Sequence, residues 1–188
     1  MRIFLAVFPP PGAQQAVHAA AESLRRPGDG VSWVKRENLH YTLRFLGELG
    51  EDGARRVKQA AEDAAATDAP FEAALGALGA FPNARRARVL WAGMTEGAER
   101  LSAVARALEA ALRRRGFDPA DHPFSPHLTI GRLRDPRDDW SERLAAVRPD
   151  PSAARFAVDR VCVVQSQLSP KGSSYTVIHE ARLAKAGG

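Results

Sequence analysis

The sequence predicts an α+β protein of two pseudo-symmetric lobes, each an antiparallel-rich sheet with about two helices, and a candidate active cleft between them. Three observations support this. Strand-like and helix-like segments follow one another in a mixed order, each half of the chain has about two helical segments, and each half contains one strand that begins His-x-Thr. The 188 residues are enough for one bilobal domain that spans residues 1–188.

The first half is expected to alternate strands and helices. The apolar run at 2–8 predicts a buried strand, and 10–26 predicts a helix because its prolines lie in the first turn. Residues 31–35 and 39–47 have the composition of two strands. Residues 51–67 form an amphipathic pattern with acidic residues in the first turn, where they interact favourably with the helix dipole.

The second half repeats the mixture. The clearest helix is 97–117, in which leucine and valine recur on one face and Gly116 is placed to end it, and a shorter helix is expected at 137–147. The strands expected in this half are residues 71–81, 87–94, 125–133, 154–168 and 173–183.

The composition limits the class of protein. No apolar run approaches the roughly 20 residues that a membrane span needs, so no membrane association is expected. Cys162 is the only cysteine, which excludes an intramolecular disulfide and favours a reducing cytoplasm. The formal charge is +5, and only four of the 27 basic residues are lysine. This arginine excess has two interpretations, a GC-rich genome or a polyanionic partner.

The two His-x-Thr segments are "HYTLRF" at 40–45 and "HLTIGR" at 127–132. Side chains two positions apart in a strand point to the same face, so each segment presents one imidazole and one hydroxyl together. These four residues are His40, Thr42, His127 and Thr129. The apolar residues between them are expected to point into the lobe cores: Tyr41, Leu43, Leu128 and Ile130.

Two imidazoles suit a reaction that needs one proton removed and another supplied, because histidine can do either near neutral pH. The hydroxyl groups can donate hydrogen bonds to anionic oxygens. Acid, base and anion donors without an obvious nucleophile indicate phosphate-ester hydrolysis or transfer, and a cyclic phosphodiester suits them well. One His-x-Thr pair in a strand is commonplace, whereas two copies in similar strands favour a shared function.

These segments, together with "RIFLAV", "RVLWAGM" and "SQLSPKGSSY", resemble the two-histidine (2H) phosphoesterases, and among them the LigT-like RNA 2',3'-cyclic phosphodiesterases. The resemblance implies metal-independent catalysis without a cofactor. It implies that His40 donates a proton to the leaving 3'-oxygen, that His127 accepts one from water, and that Thr42 and Thr129 bind the phosphate oxygens. From the residues alone, either histidine could be the acid.

Other residues are candidates for substrate binding. Arg132 matches a basic position of the family, five residues after the second histidine; strict alternation would turn it away from the cleft unless a bulge near Gly131 returned it. Phe45 has the same offset from the first histidine and is expected in the core. Ser166 is expected to line the cleft, and Lys171 to contact an RNA backbone.

Aromatic residues and arginine groups offer weaker signals. The arginines of 83–88 and 112–116 are either guides for the phosphates of a longer RNA or solvated turns and helix ends. Trp33 and Trp91 are expected in the core or the cleft wall, and Trp140 in a more exposed position. Any of these tryptophans could stack on a base.

Three functions remain open from the sequence. The first is hydrolysis of 2',3'-cyclic phosphate ends of RNA, or of 2',3'-cyclic nucleotides, by a cytoplasmic monomer. The second is a module that binds nucleotides or RNA ends without turnover. The third is reversible 2'-5' ligation of RNA, with a terminal 5'-hydroxyl in place of water.

Overall fold

The computed structural model describes residues 1–136, 138–170 and 172–184. Within them the α+β class is confirmed, with four helices and nine strands. The helices are α1 Pro11–Leu24, α2 Glu51–Ala65, α3 Ala98–Arg114 and α4 Ser141–Ala146. The strands are β1 Arg2–Val7, β2 Val31–Trp33, β3 Tyr41–Glu48, β4 Phe71–Phe81, β5 Val89–Glu96, β6 Leu128–Leu133, β7 Arg155–Val158, β8 Arg160–Ser169 and β9 Gly172–Arg182.

The strands form one antiparallel sheet in the order β7-β4-β5-β6-β3-β1-β8-β9, and β2 pairs with β6. The two halves of this sheet meet between β3 and β6, where the only paired residues are Tyr41 and Leu128. One half contains β1, β3, β8 and β9, and the other contains the remaining strands. The sheet is therefore continuous between its halves through one residue pair, helices α2 and α3 pack on each other beside it, and the last strands of the chain return to lie beside the first.

The segment 154–168, expected as one strand, is two. Its first part, β7, pairs with β4 through Phe71 and Val158, whereas β8 pairs with β1 in the other half. The chain leaves one half and enters the other at Asp159, which separates the two strands. Apolar residues continue on both sides of this crossing, so the sequence pattern does not reveal it.

The two faces of the sheet have different roles. The helices pack on one face: α2 against β8 and β9, α1 against β6, α3 against β3 and α4 against β4. On β1, Ile3 and Leu5 belong to this main core, while Phe4 and Ala6 belong to a smaller apolar cluster. Because alternate residues of a strand face opposite ways, the smaller cluster lies on the side without helices. That side carries the candidate site.

Local chemistry explains the helix ends and corrects one expectation. Glu51 and Asp52 lie in the first turn of α2, and α3 ends at Arg114, shortly before Gly116, whose positive φ of 80° suits glycine. Trp140, expected in an exposed position, is fully buried, with the Arg143 guanidinium 3.8 Å from its ring. No helix in the described ranges is long and apolar enough to cross a bilayer.

Candidate active site

His40 and His127 occupy equivalent places, each one residue before a strand of the central β3–β6 contact. Their Nδ1 atoms bond to the backbone carbonyl two residues earlier, at 2.6 Å to Asn38 and 2.7 Å to Ser125. A carbonyl only accepts hydrogen bonds, so Nδ1 carries the hydrogen in both rings. Each Nε2 is left to accept a proton when the ring is neutral, or to donate one when it is charged.

A cavity of about 450 Å³ lies beside the β3–β6 contact. It brings together five of the side chains selected from the sequence: His40, Thr42, Thr129, Arg132 and Ser166. The remaining lining residues are Arg2, Val34, Asn38, Phe45, Leu168, Ser173 and Tyr175. Thr42 Oγ1 lies 2.9 Å from His40 Nε2, so one imidazole and one hydroxyl are in direct contact at this wall.

His127 borders this cavity rather than forming its wall. Its ring lies edge-on to Phe81, with ring centroids 5.0 Å apart, and its side chain is partly exposed. Besides burial, the charge of Arg132 and, when its ring is protonated, that of His127 lower the pKa of His40. The two imidazoles and the guanidinium are therefore close enough to interact electrostatically.

Burial is the main cause of the low pKa of His40, which lies below the ordinary value of 6.5. The hydrogen bond to the Asn38 carbonyl opposes this effect, because it stabilises the charged ring, and the charges of Arg132 and His127 add to it. His40 is consequently neutral near pH 7 in the free protein. It takes up a proton only at lower pH or when an anion binds beside it.

An aromatic group holds the His40 ring in position. Phe4, Phe8 and Tyr175 surround it, with ring centroids 4.9, 5.3 and 5.4 Å from the imidazole. Tyr175 is perpendicular to the imidazole, and the two phenylalanines are tilted. Ring packing on several sides, combined with the Asn38 carbonyl, restricts the rotamers open to His40 and orients Nε2 before any ligand arrives.

The two strands share an irregularity at the same offset from their histidines. Thr42 pairs with Ala6 and Arg44 with Leu5, so Leu43 is an extra residue in β3. On β6, Thr129 pairs with Trp91 and Gly131 with Leu90, so Ile130 is extra in the same way. Both extra residues come three positions after the histidine. A bulge of this kind reverses the facing of the residues that follow it, up to the next irregularity in the strand.

These bulges decide where Arg132 and Phe45 point. Strict alternation would turn Arg132 away from the cavity. The bulge beside Gly131 reverses its facing, and Arg132 lines the cavity. Phe45, expected in the core, is instead 50% exposed and lines the cavity. It stacks on Phe4 with centroids 5.5 Å apart, and the Arg2 guanidinium lies 5.5 Å from its centroid. The expectation for Phe45 was wrong because it assumed uninterrupted alternation.

Of the two remaining candidates for substrate binding, the structure describes only Ser166. Ser166 is 8% exposed and lies between Arg2 and Tyr175 on neighbouring strands. Lys171 lies outside the described residues. Sequence reasoning missed Arg2 and Asn38. Arg2 had a usable signal, since it is a charged residue at the start of an apolar strand, whereas the carbonyl of Asn38 carries no side-chain signal.

The described residues can also be examined for a metal site and for a cysteine nucleophile. Among the described residues, no group of three or more His, Cys, Asp or Glu side chains could hold a metal ion. Cys162 is buried, and burial raises the pKa of its thiol to about 11. A thiol with that pKa is protonated at neutral pH and is therefore a poor nucleophile.

Known proteins share this fold and sequence over nearly the whole chain. The family model described as the 2'-5' RNA ligase superfamily matches residues 9–169. An RNA 2',3'-cyclic phosphodiesterase of Methanothermobacter thermautotrophicus is 34% identical over 184 residues, which cover 97% of this chain and 99% of that protein. A second protein of that name, from Thermus thermophilus, is 35% identical and is covered to 90%.

Solved structures agree with these sequence matches. The crystal structure of TT0787 of Thermus thermophilus has a TM-score of 0.84 at 32% identity, with all of both chains covered. That of Escherichia coli LigT complexed with 3'-AMP has a TM-score of 0.76 at 26% identity over 98% of each chain. With the family model matched across both halves of the sheet and these full-length relatives, the chain belongs to the 2'-5' RNA ligase superfamily, as its two His-x-Thr strands suggested.

Proposed function

We propose that this protein hydrolyses 2',3'-cyclic phosphodiesters, at the ends of RNA or in nucleotides, to 2'-phosphomonoesters. The observation that carries the proposal is the equivalence of His40 and His127. Each has its Nδ1 bonded to the carbonyl two residues before it, and each is followed by a threonine that reaches the same cavity. Relatives that match the full chain are named RNA 2',3'-cyclic phosphodiesterases, which supports this substrate class.

The reaction uses the two Nε2 atoms in opposite roles. His127 takes a proton from a water molecule, whose oxygen attacks phosphorus in line with the 3'-oxygen. The bond between phosphorus and the 3'-oxygen breaks, and protonated His40 supplies a proton to that oxygen. The product keeps the phosphate on the 2'-oxygen. Proton count is conserved, since His127 gains the proton that His40 loses.

Thr42, Thr129 and Arg132 stabilise the charge that develops on the non-bridging oxygens. The threonine hydroxyls donate hydrogen bonds, and the guanidinium of Arg132 adds a positive charge in a partly enclosed cavity where screening is weak. Ser166, at the edge of the same cavity, and Lys171 are proposed to contact the substrate. None of these roles requires a metal ion.

The low pKa of His40 is compatible with its role as the acid. A phosphodiester bound beside Nε2 places a negative charge close to the ring, which favours the protonated imidazole and raises its pKa. The positive charge of Arg132, which lowers the pKa of His40 in the free protein, is then offset by the substrate anion, while His127 stays neutral and free to accept a proton. Substrate binding therefore prepares the acid that the second half of the reaction needs.

Incubation with a 2',3'-cyclic nucleotide in excess EDTA tests the proposal. We expect turnover to continue and the sole product to carry a 2'-phosphate, identified by phosphorus NMR against authentic 2'- and 3'-nucleotides. A 3'-phosphate product, or complete loss of turnover on chelation that added metal restores, would reject the proposed reaction. Tight binding of the cyclic nucleotide without turnover would support a binding module instead.

Ligation through a 2'-5' bond is a second candidate, because the matched family is described by that activity. It uses the same acid and base, with the 5'-hydroxyl of a second RNA in place of water. Hydrolysis is favoured because water needs no second binding site, and because the full-length relatives are named phosphodiesterases. RNA with a 5'-hydroxyl and a 2',3'-cyclic end, mixed with the protein, would reveal any joined product.

The proposed substrate also suggests the partner, cellular location and oligomeric state of the protein. RNA is the expected partner, and we propose a cytoplasmic monomer in which both halves of the sheet act as one domain. The two motifs come from different halves, so neither half contains the whole site. Sedimentation of the purified protein, compared with a mass of 20.3 kDa, tests the oligomeric state.

A further inference from the structure

A second cavity, which we name the arginine groove, lies outside the candidate site. It has a volume of about 640 Å³ and is lined by Pro82, Arg85, Arg86, Arg88 and Pro136. The three arginines are exposed, and none forms an ion pair with a carboxylate of the described residues. Asp139 acts electrostatically on Arg85, and hydrogen bonds from Ser141, one of them from its backbone at 2.9 Å, keep that carboxylate charged, so its single negative charge offsets only part of the three positive charges. The groove therefore keeps an excess of positive charge.

The loop that carries these arginines is held at several points. Asn83 Oδ1 accepts hydrogen bonds from the backbone N–H groups of Arg85 and Arg86, each at 3.1 Å. The N–H of Arg88 donates to the Phe81 carbonyl at 2.8 Å, and the carbonyl of Arg88 accepts from the N–H of Leu133 at 2.9 Å. A backbone ordered in this way fixes the points from which the three arginine side chains extend, which lowers the backbone entropy lost on binding.

The groove continues from the His127 side of the cleft. Pro82 follows directly after Phe81, whose ring contacts His127 edge-on at 5.0 Å. Trp91 lies 5.2 Å from Phe81, and its indole rests on Gly79, where any Cβ would collide with it. Phe81 and Trp91 thus form a partly exposed aromatic surface between His127 and the arginines. Aromatic rings beside a row of cations are the pattern that binds single-stranded nucleic acid.

We propose that the arginine groove binds backbone phosphates of the RNA strand that ends in the cyclic phosphate. This inference rests on the proposed function, because it takes the terminal nucleotide to occupy the cleft. The cyclic phosphate is at the 3' end, so the rest of the strand must leave on one side of the cleft. Phe81 and Trp91 contact the preceding base, and Arg85, Arg86 and Arg88 contact the phosphates beyond it.

The test compares two substrates and three triple variants, one of which is a control. Arg85, Arg86 and Arg88 are changed together to alanine in one variant. The control changes Arg106, Arg148 and Arg182, which are exposed, line neither cavity and lie outside both arginine groups, and so removes the same charge. Each protein is assayed on a 2',3'-cyclic mononucleotide and on a ten-nucleotide RNA with a 2',3'-cyclic end.

We expect the groove variant to raise KM for the RNA about tenfold or more at low salt, since three phosphate contacts account for a slope of about −2 in log K against log salt. Activity on the mononucleotide, which is too short to reach the groove, should stay within twofold of the parent. The control variant should resemble the parent on both substrates. Changing the three arginines to lysine should restore part of the RNA affinity and of the salt slope.

Equal KM values for the parent and the groove variant on the RNA would overturn the proposal, and so would an equal loss in the control variant. RNA binding, measured by fluorescence anisotropy with a 2'-phosphorylated RNA, distinguishes failure of the groove proposal from failure of the proposed function. If the parent turns over neither substrate but only the groove variant loses RNA binding, the reaction is wrong and the groove stands. If turnover is normal and RNA binding is unchanged in the groove variant, the groove is wrong and the reaction stands.

Discussion

Phe45 and Arg132 face the same cavity from equivalent positions, each five residues after a histidine and two residues after a bulged residue. Each bulge falls three residues after its histidine, and each turns a side chain that alternation would have hidden. The two halves of the sheet therefore repeat a local distortion as well as a motif. They differ in the residue delivered, which is aromatic in one half and cationic in the other. The cavity consequently has one wall suited to an apolar ring and one suited to an anion.

Removal of either imidazole should abolish most of the turnover while leaving binding nearly intact. His40→Ala and His127→Ala should each lower kcat about 10²–10⁴-fold, the usual contribution of a general acid or base. Steady-state kinetics on a 2',3'-cyclic nucleotide gives kcat, and equilibrium titration with the 2'-nucleotide gives affinity. His122→Ala, at an exposed position in the loop before β6, is the matched control and should behave as the parent. Parent-like kcat in both site variants would disprove the assignment.

A substrate whose leaving group departs without protonation distinguishes the general acid from the general base. A cyclic substrate with sulfur in place of the 3'-bridging oxygen has a better leaving group, which departs without protonation. On this substrate His40→Ala should recover most of its lost rate relative to the parent, whereas His127→Ala should not. Recovery by His127→Ala alone would show that the two roles are exchanged, an alternative that the nearly equivalent motifs leave open.

The pKa of His40 should lie below 6.5 in the free protein and rise when a 2'-nucleotide binds. Proton NMR of the imidazole signals against pH, assigned by comparison with His40→Gln, measures both values. The unfolded chain binds this proton near pH 6.5, before the folded protein does, so stability should fall as pH drops below that value. His40→Gln should lose less stability over the same range. A titration midpoint above 6.5 without ligand would contradict the account of burial.

Gly131 should tolerate no side chain, because its strand is packed against β2. A Cβ there would lie 2.7 Å from Val31 Cγ1 and 3.2 Å from the Trp33 ring. Gly131→Ala should therefore cost about 1–3 kcal/mol of unfolding free energy. It should also lower kcat/KM roughly tenfold or more by displacing Arg132. Chemical denaturation and kinetics measure these effects.

Gly12→Ala is the control for this variant, since the added methyl group meets nothing within 4 Å on the first turn of α1. It should leave the unfolding free energy unchanged or slightly raised. A Gly131→Ala protein as stable and active as the Gly12→Ala protein would show that the bulge does not position Arg132.

The sequence correctly predicted the facing of side chains where alternation along a single strand decides it. Alternation placed the His40 imidazole beside the Thr42 hydroxyl, and it correctly buried Tyr41, which is fully shielded from solvent. The rule failed where a distant strand decides the outcome. The bulge at Leu43 is a property of its pairing with β1, so Phe45 could not be assigned a face from its own segment.

Two further differences have the same origin. The break between β7 and β8 at Asp159 arises because these two strands join different halves of the sheet. The local sequence pattern does not predict it. Trp140 is buried where its backbone N–H donates to the Ala84 carbonyl and the Arg143 guanidinium covers its ring. Both contacts depend on how α4 packs, which the short amphipathic pattern of the segment does not encode.

A crystal structure of the protein with a bound 2'-phosphorylated nucleotide would examine the catalytic geometry most directly. We expect a single phosphate in the cavity of Thr42 and Thr129, with the Nε2 atoms of His40 and His127 each within about 3 Å of a different phosphate oxygen. A phosphate held by one imidazole while the other points to a separate pocket would contradict paired acid–base catalysis at this site.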